Sequence, residues 1–150
     1  MTVFGGDPIL AADYNELIDR QSTALFTADS STWGATETIL GAVAVSAIAG
    51  AKYKIIFVGK VSADVAADAA NMRIREDNLT GTQLQLQQVY LPNTSTNGWQ
   101  TYVYAEYTAV STATKTFALT GQRSVGTGTA HRIRGSGSAP GYFYVDRIAN

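Results

Sequence analysis

The sequence predicts an all-β protein: a jelly-roll-like antiparallel β-sandwich of about eight to ten strands, with a short N-terminal arm and helix. Three observations carry this. Runs with period-two alternation of apolar and polar residues recur along the chain, separated by clusters of Gly, Asn, Asp and Ser. Charged residues make up only 15%, while Tyr, Thr, Val, Ala and Gly are abundant, as expected of short strands joined by tight turns. No alternation of strands with helices points to a parallel sheet.

The clearest strand is Lys52–Ser62. Tyr53, Ile55, Phe57 and Val61 share one side, with Gly59 the single gap. Lys52, Lys54, Ile56, Val58 and Lys60 share the other, apolar in the middle and charged at both ends. One face belongs in a core and the other is partly covered, which makes this the central strand.

Taken in order, residues 1–9 form an arm. Gly5, Gly6 and Pro8 resist regular structure, while Val3, Phe4 and Ile9 are apolar on a segment without a core of its own. Leu10 to about Ser22 reads as an amphipathic helix, with Leu10, Tyr14, Leu17, Ile18 and Gln21 on one stripe. Arm and stripe either pack on their own domain or dock on another molecule. The expected division is residues 1–23 as docking arm and helix, and residues 24–150 as the sandwich.

Beyond Ala24 every segment reads as β. Leu25–Thr27 is a short first strand or a linker; Trp33–Leu40 and Gly41–Ile48 are two further candidates. Asp64–Asn71 reads as an acidic loop. Met72–Glu76 alternates Met72 and Ile74 inward with Arg73 and Arg75 outward. Thr82–Leu91, Trp99–Ala109, Lys115–Gln122, Gly126–Arg134 and Gly141–Ile148 complete the set. In Trp99–Ala109, Val103, Ala105 and Tyr107 oppose Tyr102, Tyr104 and Glu106.

Composition narrows the function classes. A net charge of −1 supplies no field to recruit nucleic acid or an anionic membrane. With no cysteine there are no disulfides, thiolate ligands or cysteine nucleophiles. No secretory signal is recognisable, and the most apolar stretch, Ile39–Ala51, is too short to span a bilayer, so a soluble protein is expected. His131 is the only histidine, so any Ser-His-Asp arrangement must use it; a half-exposed strand histidine is expected instead. Asp64, Asp68, Glu76 and Asp77 lie near two loops that could meet, but their spacing matches no compact calcium loop, and no metal or other cofactor is expected. No catalytic residue is expected, and the chain reads as a non-enzyme with no small-molecule substrate.

Two features suit a protein surface. Arg73, Arg75, Arg132 and Arg134 form two Arg-x-Arg pairs, which on adjacent strands would make a basic stripe. Such a stripe fits salt bridges across a subunit boundary. Tyr102, Tyr104 and Glu106 join this inter-subunit set. Trp33, Trp99, Tyr102, Tyr104, Tyr142 and Tyr144 could also form a sugar-stacking platform, although aromatics at strand spacing more often belong to a core or an interface.

The opening Val3-Phe4-Gly5-Gly6-Asp7-Pro8-Ile9-Leu10-Ala11-Ala12-Asp13-Tyr14-Asn15-Glu16-Leu17-Ile18-Asp19-Arg20-Gln21 resembles the start of many small virion proteins of tailed bacteriophages, especially those of actinobacterial hosts. Ala49–Ile55, Met72–Asp77 and Gly141–Ile148 are similar to them as well. The resemblance covers most of the chain in outline through short motifs, none of which carries a catalytic residue. It implies a sandwich, commonly trimeric, on the virion surface, assembled in the host cytoplasm. Its partners would be its own copies and the major capsid protein or tail proteins. Val3, Phe4, Ile9, Leu10, Tyr14, Leu17 and Ile18 are then the partner-docking residues. Capsid decoration is preferred to a tail or fibre role because no shaft repeat follows the domain. A carbohydrate-binding module used in host adsorption is the alternative.

Overall fold

A computed structural model describes residues 19–94 and 98–149. Among these residues the chain is all β: β1 (Asp19–Phe26), β2 (Thr38–Ala47), β3 (Lys52–Ser62), β4 (Asp68–Glu76), β5 (Gln83–Leu91), β6 (Trp99–Thr108), β7 (Ala113–Val125), β8 (Arg132–Arg134) and β9 (Gly141–Ala149). They form two sheets. One runs β1-β9-β3-β6, with β8 also beside β3; the other runs β2-β7-β4-β5. Every pairing between these strands is antiparallel.

Alternation explains the packing. Tyr53, Ile55, Phe57 and Val61 of β3 are fully buried, as are Phe143 and Val145 of β9. Facing them from the second sheet stand Met72 and Ile74 of β4 and Phe117 and Leu119 of β7, also fully buried. One core therefore lies between the sheets, each of these side chains contributing about 1.5–3 kcal/mol of apolar burial. As the central strand, β3 is flanked by β6 along one side and by β9 and then β8 along the other.

Several expectations change. Leu10–Ile18 of the expected helix, together with the arm, lies outside the described residues. Asp19–Ser22 is strand, because β1 pairs with β9 from Asp19↔Arg147 to Phe26↔Gly141. The ladder, supported by Arg20 on Asp146 and by Arg147 on Asp19 at 2.6 Å, overrides a weak local helical stripe. The expected boundary between residues 23 and 24 thus falls inside a strand. The two strands expected around Gly41 are one. The register shifts between Ile39 and Gly41, and a Cβ on Gly41 would stand 2.9 Å from the Phe26 ring, so this glycine marks a bulge rather than a break. The acidic loop expected at 64–71 is shorter, since β4 already begins at Asp68.

Candidate functional site

The outer face of the five-stranded sheet carries the side chains that β3, β6, β9 and β1 turn away from the core. The registers align them in rows. Leu25, Tyr142, Val58 and Tyr102 lie side by side across β1, β9, β3 and β6. The next row is Thr23, Tyr144, Ile56 and Tyr104. The row beyond is Arg20, Asp146, Lys54 and Glu106. Two aromatic-aliphatic rows are thus bordered by a charged one.

Tyr102 and Tyr104, two apart on β6, stack with ring centroids 6.5 Å apart and planes 8° from parallel. Leu25, Tyr102 and Tyr142 are 54%, 55% and 41% exposed, whereas Ile56 is buried in the centre of the face. The border is tied into the aromatics. The Arg20 guanidinium lies 3.7 Å above the Tyr144 ring and pairs with Asp146. Lys54 Nζ lies 5.9 Å from the Tyr104 ring, and the Tyr104 hydroxyl donates to Glu106. That hydrogen bond is the main reason the Tyr104 hydroxyl is pushed up to about 12; burial adds to it.

At the other end of the face, beyond Val58 and Tyr142, a recess of about 180 Å³ is lined by Lys60, Gln100, Arg134 and Pro140. Around the sheet edge, a groove of about 280 Å³ runs between β5 and β6, with Gln87, Tyr90, Trp99 and Tyr102 along it. Tyr90 and Trp99 are exposed.

Of the expected inter-subunit residues, Tyr102, Tyr104 and Glu106 share this face. The arginines make no common stripe. Arg73 and Arg75 lie on β4 of the four-stranded sheet, Arg132 and Arg134 on β8 of the other. Both pairs are engaged within the chain, the first with Glu37 and the second with Asp29. The docking residues Val3, Phe4, Ile9, Leu10, Tyr14, Leu17 and Ile18 lie outside the described residues. Of the six aromatics read as a platform, Trp33 is buried, its ring stacked at 6.1 Å on His131, and Trp99 belongs to the β5–β6 groove. His131 is fully buried, not half-exposed. Asp64 and Asp68 come together beside it, while Glu76 and Asp77 lie elsewhere, on Lys115 at 2.9 and 3.1 Å. Leu25 and Arg20 escape the sequence reading, because Leu25–Thr27 reads as a short first strand or a linker without a partner and Arg20 falls within the expected helix. The aliphatic half of the platform, Ile56 and Val58, was visible as the apolar middle of the second side of β3.

No family model matches this chain, and no curated protein matches it. Among solved structures it is similar to the C-terminal domain of EclA, a sugar-binding protein, at 16% identity over 76% of this chain and 74% of that one, TM-score 0.40. It is also similar to the tripod from the baseplate of bacteriophage Tuc2009, at 14% identity over 100% and 73%, TM-score 0.44. A third likeness is to VP2 in the subviral particle of infectious bursal disease virus, at 14% identity over 100% and 42%, TM-score 0.41. Likenesses of this degree carry no argument about what this chain does.

Proposed function

We propose that this chain is a non-enzymatic virion structural protein of a tailed phage, a capsid decoration protein whose copies associate through the outer face of the five-stranded sheet. The observation that carries the reading is the composition of that face. Leu25, Ile56 and Val58 alternate with Tyr102, Tyr104, Tyr142 and Tyr144, and charges gather at the border. An aromatic-aliphatic centre inside a polar rim is the anatomy of a protein–protein interface, where tyrosine and arginine are enriched.

The interleaved strand order, β1-β9-β3-β6 over β2-β7-β4-β5, supports the jelly-roll reading of the sandwich. The short motifs shared with phage virion proteins support the virion setting. A threefold ring uses two different patches of each subunit. The second patch here is the β5–β6 groove, with Tyr90 and Trp99 exposed along it. The N-terminal arm then reaches the capsid shell.

Electron microscopy of particles after adding the purified protein to virions that lack it tests the placement. Density on the capsid is expected. Density on the tail would make this a tail or fibre component. A second reading, glycan binding in host adsorption, is favoured by one observation: the recess beside the Tyr142 ring gathers Lys60, Gln100 and Arg134 as hydrogen-bond donors. Glycan-array binding abolished by Gln100→Ala, with no particle attachment, would select it.

A further inference from the structure

Asp64 follows β3 and Asp68 opens β4. The connection between β7 and β8 closes over both carboxylates. Thr127 and Gly128 donate their amides to Asp68 at 3.1 and 2.8 Å; Thr129 and Ala130 donate theirs to Asp64 at 3.3 and 3.1 Å. Only glycine fits at two positions of this loop. Gly126 has φ +95°, and a Cβ there would stand 1.7 Å from Asp68 Oδ1. At Gly128 a Cβ would stand 2.3 Å from Asp68 Oδ2 and 2.6 Å from Asp64 Oδ1.

These amides account for the loop but not for His131. Its ring is fully buried, Nε2 lies 3.3 Å from Asp68 Oδ2, and neither ring nitrogen finds a hydrogen-bond partner among the described residues. A buried polar group left without a partner forfeits the hydrogen bonds it made to water and gains none in return. Asp64 Oδ1 and both oxygens of Asp68 each spend one lone-pair direction on an amide and keep another, while Asp64 Oδ2 accepts from both the amide and the hydroxyl of Thr129. One atom from each of Asp64, Asp68 and His131 lies within 4.8 Å of the others. Ligands about 2.0–2.2 Å from a tetrahedral zinc ion stand roughly 3.4 Å apart, the separation that Asp68 and His131 already show.

We propose that Asp64, Asp68 and His131 bind a divalent transition metal ion, zinc being the best match, with water completing the coordination from the exposed Asp64 side. Calcium and magnesium prefer oxygen-only sites, and an imidazole ligand turns the selectivity toward zinc. The spacing of Asp64, Asp68, Glu76 and Asp77 gave no metal motif because the third ligand, His131, comes from a distant strand end. The ion would pin the β7–β8 loop to the β3–β4 connection, joining the two sheets at one end.

Zinc titration of the EDTA-treated full-length protein, followed by calorimetry and thermal melting, tests the site. With a single histidine and no cysteine in the chain, background uptake is small. The expected result is one zinc per chain, a raised melting temperature, and a cobalt(II) derivative with visible absorption. Calcium should be bound at least tenfold more weakly. Asp64→Asn, at an exposed position, should fold normally yet lose at least tenfold in zinc affinity; His131→Asn should lose binding altogether. If His131→Asn does not fold, Asp64→Asn decides. No stoichiometric zinc uptake, Asp64→Asn binding zinc like the wild type, or preference for calcium over zinc would each overturn the proposal.

Discussion

Arg75 grips Glu37 with both prongs of its guanidinium, Nε donating to Oε1 at 2.7 Å and Nη2 to Oε2 at 3.0 Å. The Thr120 hydroxyl also donates to Oε1, and Arg73 Nη1 stands 3.7 Å from Oε2. Glu37 immediately precedes β2, Thr120 is on β7, and both arginines are on β4. One carboxylate thus ties three neighbouring strands together from outside the core. The geometry is bidentate and largely covered, unlike a loose surface pair.

Burial, the largest single influence on Glu37, works to raise its carboxyl. The hydrogen bonds from Arg75 and Thr120 and the charges of Arg73 and Arg75 outweigh it, so the group titrates below its ordinary 4.5. A depressed folded value means stability is fully present above about pH 4.5 and lost as pH falls through the folded value. Glu37→Gln should therefore destabilise the protein at pH 7 by about 1–3 kcal/mol. It should also flatten the acid limb of the stability curve. Urea unfolding of both proteins between pH 7 and pH 3 measures this; parallel curves would show that the carboxylate is not held in this way.

Gly59 is the gap in the buried face of β3, and the Phe57 ring fills it. A Cβ at Gly59 would stand 2.6 Å from the end of that ring. Phe57 is itself fixed by the Phe26 ring, edge-on at 6.0 Å, and both rings are buried. Gly59→Ala should cost about 1–3 kcal/mol through overpacking, even though alanine is apolar and no larger than its neighbours. Thermal melting checks it; an unchanged or raised melting temperature would mean the ring has room to move aside.

Much of the sandwich was legible in this way. The alternation of Tyr53, Ile55 and Phe57, and of Met72 and Ile74, marked inner faces, because a strand's period of two survives any choice of neighbour. What was not legible depended on partners distant in sequence. Asp19–Ser22 became strand only because β9 offers it a ladder. Gly41 looked like a stop until Phe26 lay beneath it. Asp64 and Asp68 gained a third member when His131 arrived from more than sixty residues away. The tyrosine face was partly visible: Tyr102, Tyr104, Tyr142 and Tyr144 were grouped as a possible platform together with Trp33 and Trp99, but Leu25 joined them only through the register of β1 with β9.

Deleting residues 1–9 should leave the melting temperature unchanged, because the described residues from Asp19 onward already form both sheets and the core between them. The shortened protein should still self-associate, since the tyrosine face is intact, yet lose attachment to particles. Co-sedimentation of full-length and shortened protein with virions lacking it reads this directly. Equal attachment would move the docking surface onto the sandwich; unfolding of the shortened protein would assign the arm to its own core.

Self-association through the tyrosine face is most directly tested by sedimentation equilibrium at micromolar concentration. The wild type should sediment as a trimer, and the double variant Tyr102→Ser/Tyr142→Ser, altered only at exposed positions, as a folded monomer. A wild-type monomer, or a variant that remains trimeric, would contradict the assignment of this face as the subunit interface.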